Sequence, residues 1–76
     1  MNVREHWGVV IRQHRQSWDL TQEDVARMLG VSQASVTAWE RGTRSPDPET
    51  LAKLVKALDI DPRVLFTIDV EIRDVA

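Results

Sequence analysis

Twenty residues, Gln22 to Arg41, hold the side chains whose types and spacing are most informative. Counting Gln22 as the first position, Ala26 is fifth, Gly30 ninth, Val36 fifteenth and Trp39 eighteenth. Val25, Leu29 and Val31 fill the fourth, eighth and tenth positions with apolar side chains. Two short helices joined by a tight turn cross steeply, so the contact needs a small residue, which Ala26 supplies. The turn needs a residue tolerant of positive φ, which Gly30 supplies. The apolar positions anchor both helices on a shared core and leave one face of the second helix exposed from its N-terminus. The chemistry offered is contact by an exposed helix face. Bond-breaking arrangements are not evident: there is no nucleophile–base pair and no Gly-rich phosphate loop. His6 and His14 lie eight apart, whereas metal-binding pairs on a helix sit four apart, and no third ligand accompanies them. Asp47 and Asp61 are better explained as helix caps than as paired acid and base. With no cysteine, disulfides, thiolate catalysis and Cys-ligated zinc are excluded. The expectation is no enzyme, no metal and no cofactor.

The elements that must position this face follow from periodicity. Val3, Trp7, Val10, Ile11, His14 and Trp18 form one stripe at helical spacing, predicting a helix over about 3–17 that Asp19 and Leu20 end. Thr21 is an N-cap for the next helix, with Asp24 completing an acidic capping box three residues on, and Gly30 stops it. Ser32 caps a third helix from Gln33 to Arg41, ended by Gly42. Asp47-Pro48 starts a fourth, carried by Leu51, Leu54, Val55 and Leu58. Asp61-Pro62 repeats the signal for a short fifth helix ending near Phe66. Trp7 and Trp39 fall at core positions, while Trp18 lies at a helix end. Beyond residue 66 the period changes. Ile68, Val70 and Ile72 alternate with Asp69, Glu71 and Arg73, the pattern of a half-buried strand. The predicted fold is all-α: a five-helix bundle around a central helix-turn-helix over 1–66, plus a C-terminal extension over 67–76. In a helix-turn-helix the second helix enters the DNA major groove.

At 76 residues the chain has room for one small domain, and its 42% hydrophobic content suits a packed core. The net charge of −2 argues weakly against a nucleic-acid partner, but its distribution does not. Residues 1–56 hold eight Arg and Lys against seven Asp and Glu, and residues 57–76 hold two against five. No apolar run is long enough for a signal peptide or a membrane span, so the expected location is the cytoplasm, at the nucleoid. No membrane or small-molecule partner is expected.

The blocks Leu-Thr-Gln-Glu-Asp-Val-Ala, Leu-Gly-Val-Ser-Gln, Val-Thr-Ala-Trp-Glu-Arg-Gly and Leu-Asp-Ile-Asp-Pro-Arg-Val-Leu-Phe resemble the Cro/phage-repressor-type helix-turn-helix family, the xenobiotic-response-element class. The resemblance covers residues about 8–66. It implies a homodimer on a partly palindromic operator in double-stranded DNA. It further implies that Gln22 and Thr21 meet a DNA phosphate. Gln33 would pair bidentately with adenine, Ala34, Thr37 and Ala38 would touch thymine methyl groups, and Ser32 and Ser35 would contact bases or phosphates. Arg41, Thr43 and Arg44 would hold phosphates at the end of the recognition helix. Arg15 and Glu40 would form an architectural ion pair. Ala34 and Ala38 also read as simple helix formers, and Gln33, Arg41 and Arg44 also read as solvated surface residues. The sequence departs from the family at Asp19, where Gly or Asn is common, and at Asp59, where Gly is usual. With one long polar reader beside two alanines, readout leans on methyl contacts and DNA shape.

The tail has three readings. Ile68, Val70 and Ile72 could form an intermolecular ribbon across a dimer, a strand on the chain's own bundle, or a segment that orders only on a partner. Opposed charges favour ribbon registers in which paired residue numbers sum to 142 or 144. The expected function is a dimeric repressor that places helix 33–41 in the major groove. Alternatives are an antitoxin that binds a toxin through the acidic tail, a restriction–modification controller, or a module that binds only protein.

Overall fold

The computed structural model describes residues 2–67. Four α-helices follow one another: α1 (Val3–Ser17), α2 (Gln22–Leu29), α3 (Gln33–Arg41) and α4 (Pro48–Ala57). A single 3-10 turn, Pro62–Leu65, closes the described chain.

Each start is a side-chain cap. Asn2 accepts from the Glu5 amide at 2.8 Å while Glu5 reaches back to the Asn2 amide at 3.1 Å. Thr21 and Asp24 make the same reciprocal pair at 3.0 and 2.8 Å. Ser32 caps α3 by accepting from Ser35, and Asp47 caps α4 by accepting from Thr50. These acceptors satisfy amides that have no partner within their own helix.

The four α-helices end alike. The first residue past α2 and α3, and the second past α1 and α4, takes a left-handed conformation, and the next amide bonds back into the last turn. These bonds run from Leu20 to the Arg15 carbonyl, from Val31 to Ala26, from Thr43 to Ala38 and from Ile60 to Val55, at 2.9 to 3.1 Å. Gly30 and Gly42 occupy two of the left-handed sites, at φ 68° and 75°. Asp19 and Asp59 occupy the other two, at φ 55° and 52°. Asp tolerates this region better than most residues, though at more strain than Gly.

The core is built from Val10 and Ile11 of α1, Val25 and Ala26 of α2, and Val36 and Trp39 of α3. Leu54, Leu58, Ile60 and Leu65 close it from below. Trp7 packs beside this core, and Trp18 stays 55% exposed although its indole donates to the Leu58 carbonyl at 2.9 Å. Gly8 marks the closest approach of α1 and α3. A Cβ there would stand 2.8 Å from the Glu40 carbonyl oxygen and closer still to that of Trp39.

The expected fifth helix is a correction. Pro62–Leu65 is one 3-10 turn, closed by bonds from Val64 to the Asp61 carbonyl and from Phe66 to Arg63. The last two carbonyls of the turn accept from side chains, that of Val64 also from Thr67 Oγ1 at 3.2 Å. His6 donates Nε2–H to the Val64 carbonyl at 2.6 Å, and Trp7 donates its indole N–H to Leu65 at 2.8 Å. There is no strand among the described residues. The strand expected at Ile68, Val70 and Ile72, and the acidic tail as a partner site, lie outside them.

Candidate nucleic-acid interface

α3 is carried on the bundle by its inner side, through Val36 and Trp39, so its outer side is open. Gln33, Ala34, Thr37 and Ala38 of α3, with Arg41 and Thr43, line one open hollow. Gln33, Ala34 and Arg41 are exposed; Thr37 and Ala38 are half-buried. Thr43 Oγ1 donates to the Ala38 carbonyl at 3.2 Å, which folds the loop back on the end of α3. Arg44 extends from that loop, exposed. Ser32 and Ser35 sit at the N-terminus of α3 with their hydroxyls 3.0 Å apart, so each is part of the cap. Thr21 Oγ1 accepts from the Asp24 amide, so this side chain is engaged in the cap of α2. The Asp24 carboxyl is held below the usual carboxylate range, first by the Thr21 amide and then by the Thr21 side chain.

Beneath the face runs a polar network. Arg15 donates Nε–H to Glu40 Oε2 at 2.7 Å and an Nη2 hydrogen to Oε1 at 3.0 Å. Its third contact is Nη1–H to the Leu20 carbonyl at 2.8 Å, in the link between α1 and α2. The Glu40 side chain is only 3% exposed and that of Arg15 13%. This forked pair ties α1 to the end of α3, and its hydrogen bonds hold the Arg15 pKa above its ordinary value. Gln22 then joins α2 to the same carboxylate, donating Nε2–H to Glu40 Oε1 at 3.1 Å. Its carbonyl oxygen accepts from Thr37 Oγ1 at 2.6 Å. Two residues separately assigned to a phosphate and to a base are therefore bonded to each other. No buried side-chain nitrogen or oxygen among the described residues lacks a partner.

Two contributors escape a reading of the motif alone. Gly8 sets how closely α3 lies on α1; its only signal in the sequence is a lone glycine inside a helical pattern. Arg12 and Gln16 line a second hollow with Gln22, Thr37 and Arg41, one helical turn apart on α1. Their signal in the sequence is the spacing of Arg12 three residues before Arg15 and four before Gln16. No group of His, Asp or Glu among the described residues could hold a metal ion, and no described helix is long and apolar enough to cross a membrane.

A family model described as helix-turn-helix matches residues 11–65. The chain belongs to that family, of the Cro/C1 type. This helix-turn-helix chain is 35% identical over 69 residues to repressor protein C2 of Salmonella phage P22, covering 91% of this chain and 32% of that protein. It is 48% identical over 46 residues to the cryptic phage CTXphi transcriptional repressor RstR of Vibrio cholerae, covering 60% of this chain and 41% of that protein. It thus spans about a third of the first of these curated relatives and about two fifths of the second. Among solved structures it is similar to the restriction-modification controller protein C.AhdI of Aeromonas hydrophila. The TM-score is 0.74 at 36% identity, covering 83% of this chain and 96% of that one.

Proposed function

We propose that this chain is a sequence-specific DNA-binding transcriptional regulator, a repressor that binds a palindromic operator as a homodimer in the cytoplasm. The observation that carries the reading is the outward face of α3, fastened from beneath by the Arg15–Glu40–Gln22–Thr37 network. A helix held in this way can enter a major groove without reorganising. Gln33 pairs with an adenine edge, and Ala34, Thr37 and Ala38 meet thymine methyl groups. Ser32 and Ser35 sit at the entering end. Thr21, Gln22, Arg41, Thr43 and Arg44 hold phosphates on either side. Two protomers then read half-sites about 34–36 Å apart. A second copy is supported by the nearly all-apolar surface of Leu51, Val55, Leu65 and Phe66, with Phe66 70% exposed. Ile68, Val70 and Ile72 would extend that contact as a paired ribbon.

A restriction–modification controller is the second reading. It is favoured by the match to C.AhdI over 96% of that chain, against 32% and 41% of the two phage repressors.

Selection of bound duplexes from a random DNA pool at physiological salt tests the proposal. The expected result is an enriched palindrome with half-sites one turn apart. Gln33→Ala with Arg44→Ala should lower affinity for it at least tenfold, from a lost bidentate contact of about 1–3 kcal/mol and a lost phosphate contact. Absence of enrichment, with binding that vanishes as salt rises, overturns it.

A further inference from the structure

The second hollow lies between the later half of α1 and the α2–α3 pair, beside the base-reading hollow. It is lined by Arg12 and Gln16 of α1, Gln22 of α2, and Thr37 and Arg41 of α3, over the buried Arg15–Glu40 pair. Its charge balance is uneven. The Glu40 carboxylate is already neutralised by the forked Arg15 guanidinium and further bonded by Gln22. Arg12 and Arg41 are exposed, and neither makes an ion pair among the described residues. Two uncompensated guanidinium groups thus border one concave site, in a chain whose net charge is −2. The amide of Gln22 gives one hydrogen to Glu40 and has a second to offer. Gln16 makes no side-chain hydrogen bond among the described residues and adds two more donors. Donors and positive charge without a matching acceptor are the complement of an anion.

Position selects which anion. Thr37 and Arg41 line both this hollow and the base-reading hollow of α3. A duplex seated on α3 therefore carries a strand backbone past the mouth of the second hollow. We propose that Arg12 and Gln16, together with Gln22 and Arg41, form a phosphodiester clamp on α1 that grips the backbone beside the groove α3 enters. The clamp rests on the DNA-binding reading above and adds α1 as a third element touching DNA. Arg15 is not a member, because it is largely buried and its charge is already matched by the forked Glu40 carboxylate.

The test uses the duplex enriched by the wild-type chain and measures affinity across a salt series. Arg12→Ala with Gln16→Ala should weaken binding roughly tenfold, equally for every operator variant, and reduce the slope of log K against log salt by about 0.9 per protomer. Arg12→Lys should restore most of the slope, because a point charge suffices for a phosphate. Lys53→Ala, which removes the same charge from α4 away from both hollows, should leave the slope unchanged. Both α1 side chains are exposed, so an unchanged thermal midpoint separates lost contact from lost fold. A double variant with wild-type affinity and slope overturns the clamp alone. So does a variant that changes base preference instead of weakening binding uniformly. A wild-type chain that enriches no duplex overturns the proposed function and the clamp with it.

Discussion

The α3 side and the α4 side of this bundle are held by different chemistry. Under α3 the contacts are charged and forked: Arg15 to Glu40, Glu40 to Gln22, Gln22 to Thr37. At the far end the backbone is fastened by ring N–H donors, with His6, Trp7 and Trp18 each giving one hydrogen to the carbonyls of Val64, Leu65 and Leu58. Around them lies apolar surface that ends in the exposed Phe66 ring, edge-on to Trp7 at 6.2 Å. A forked ion pair specifies direction as well as distance. An apolar surface specifies little beyond area and tolerates exchange of its occupant. The directional chemistry lies where α3 must be aimed, and the tolerant chemistry where another surface can be met.

The sharpest way to break this contrast is Glu40→Ala. It leaves the Arg15 guanidinium largely buried without its partner, and should cost about 3–5 kcal/mol by denaturant unfolding. A loss under 1 kcal/mol would mean that the ion pair does not hold α3. Gly8→Ala comes next. Its methyl group would collide with the backbone of Trp39 and Glu40, which cannot rotate away as a side chain could. It should cost about 1–3 kcal/mol and tilt α3, so operator affinity should fall even where the variant remains folded. Asp59→Gly is the smallest change and has the opposite sign. It relieves a left-handed Asp at φ 52° and removes a carboxylate from the C-terminus of α4, so it should stabilise by about 0.5–1 kcal/mol. Operator affinity should stay the same, which would show that the two ends are separable.

Much of this architecture was legible because its signals are local. Thr21, Ser32 and Asp47 announce their helices within three residues. Gly30 and Gly42 end theirs by a conformation few other residues take as easily. The fifth helix misled for the opposite reason. Asp61-Pro62 gives the same start signal as Asp47-Pro48, but the carbonyls of its turn are bonded to donors 58 residues earlier in the chain. No window around Pro62 contains them. The candidate site divides in the same way. The α3 face could be read from the motif, since its inward residues leave the outward ones by subtraction. The bond between Gln22 and Thr37 could not, because it depends on the crossing of α2 and α3. Arg12 and Gln16 look like an ordinary solvated helix face until α1 is laid against α3.

The fastening of α1 by His6 and Trp7 bears on how the chain is made. α1 is synthesised first, yet two of its side chains find their acceptors only once Val64 and Leu65 have been added. The contacts among α1, α2 and α3 need only the chain through Arg41 to have left the ribosome. They become available earlier in synthesis than the two bonds that fasten the start of α1, which wait for the end of the bundle.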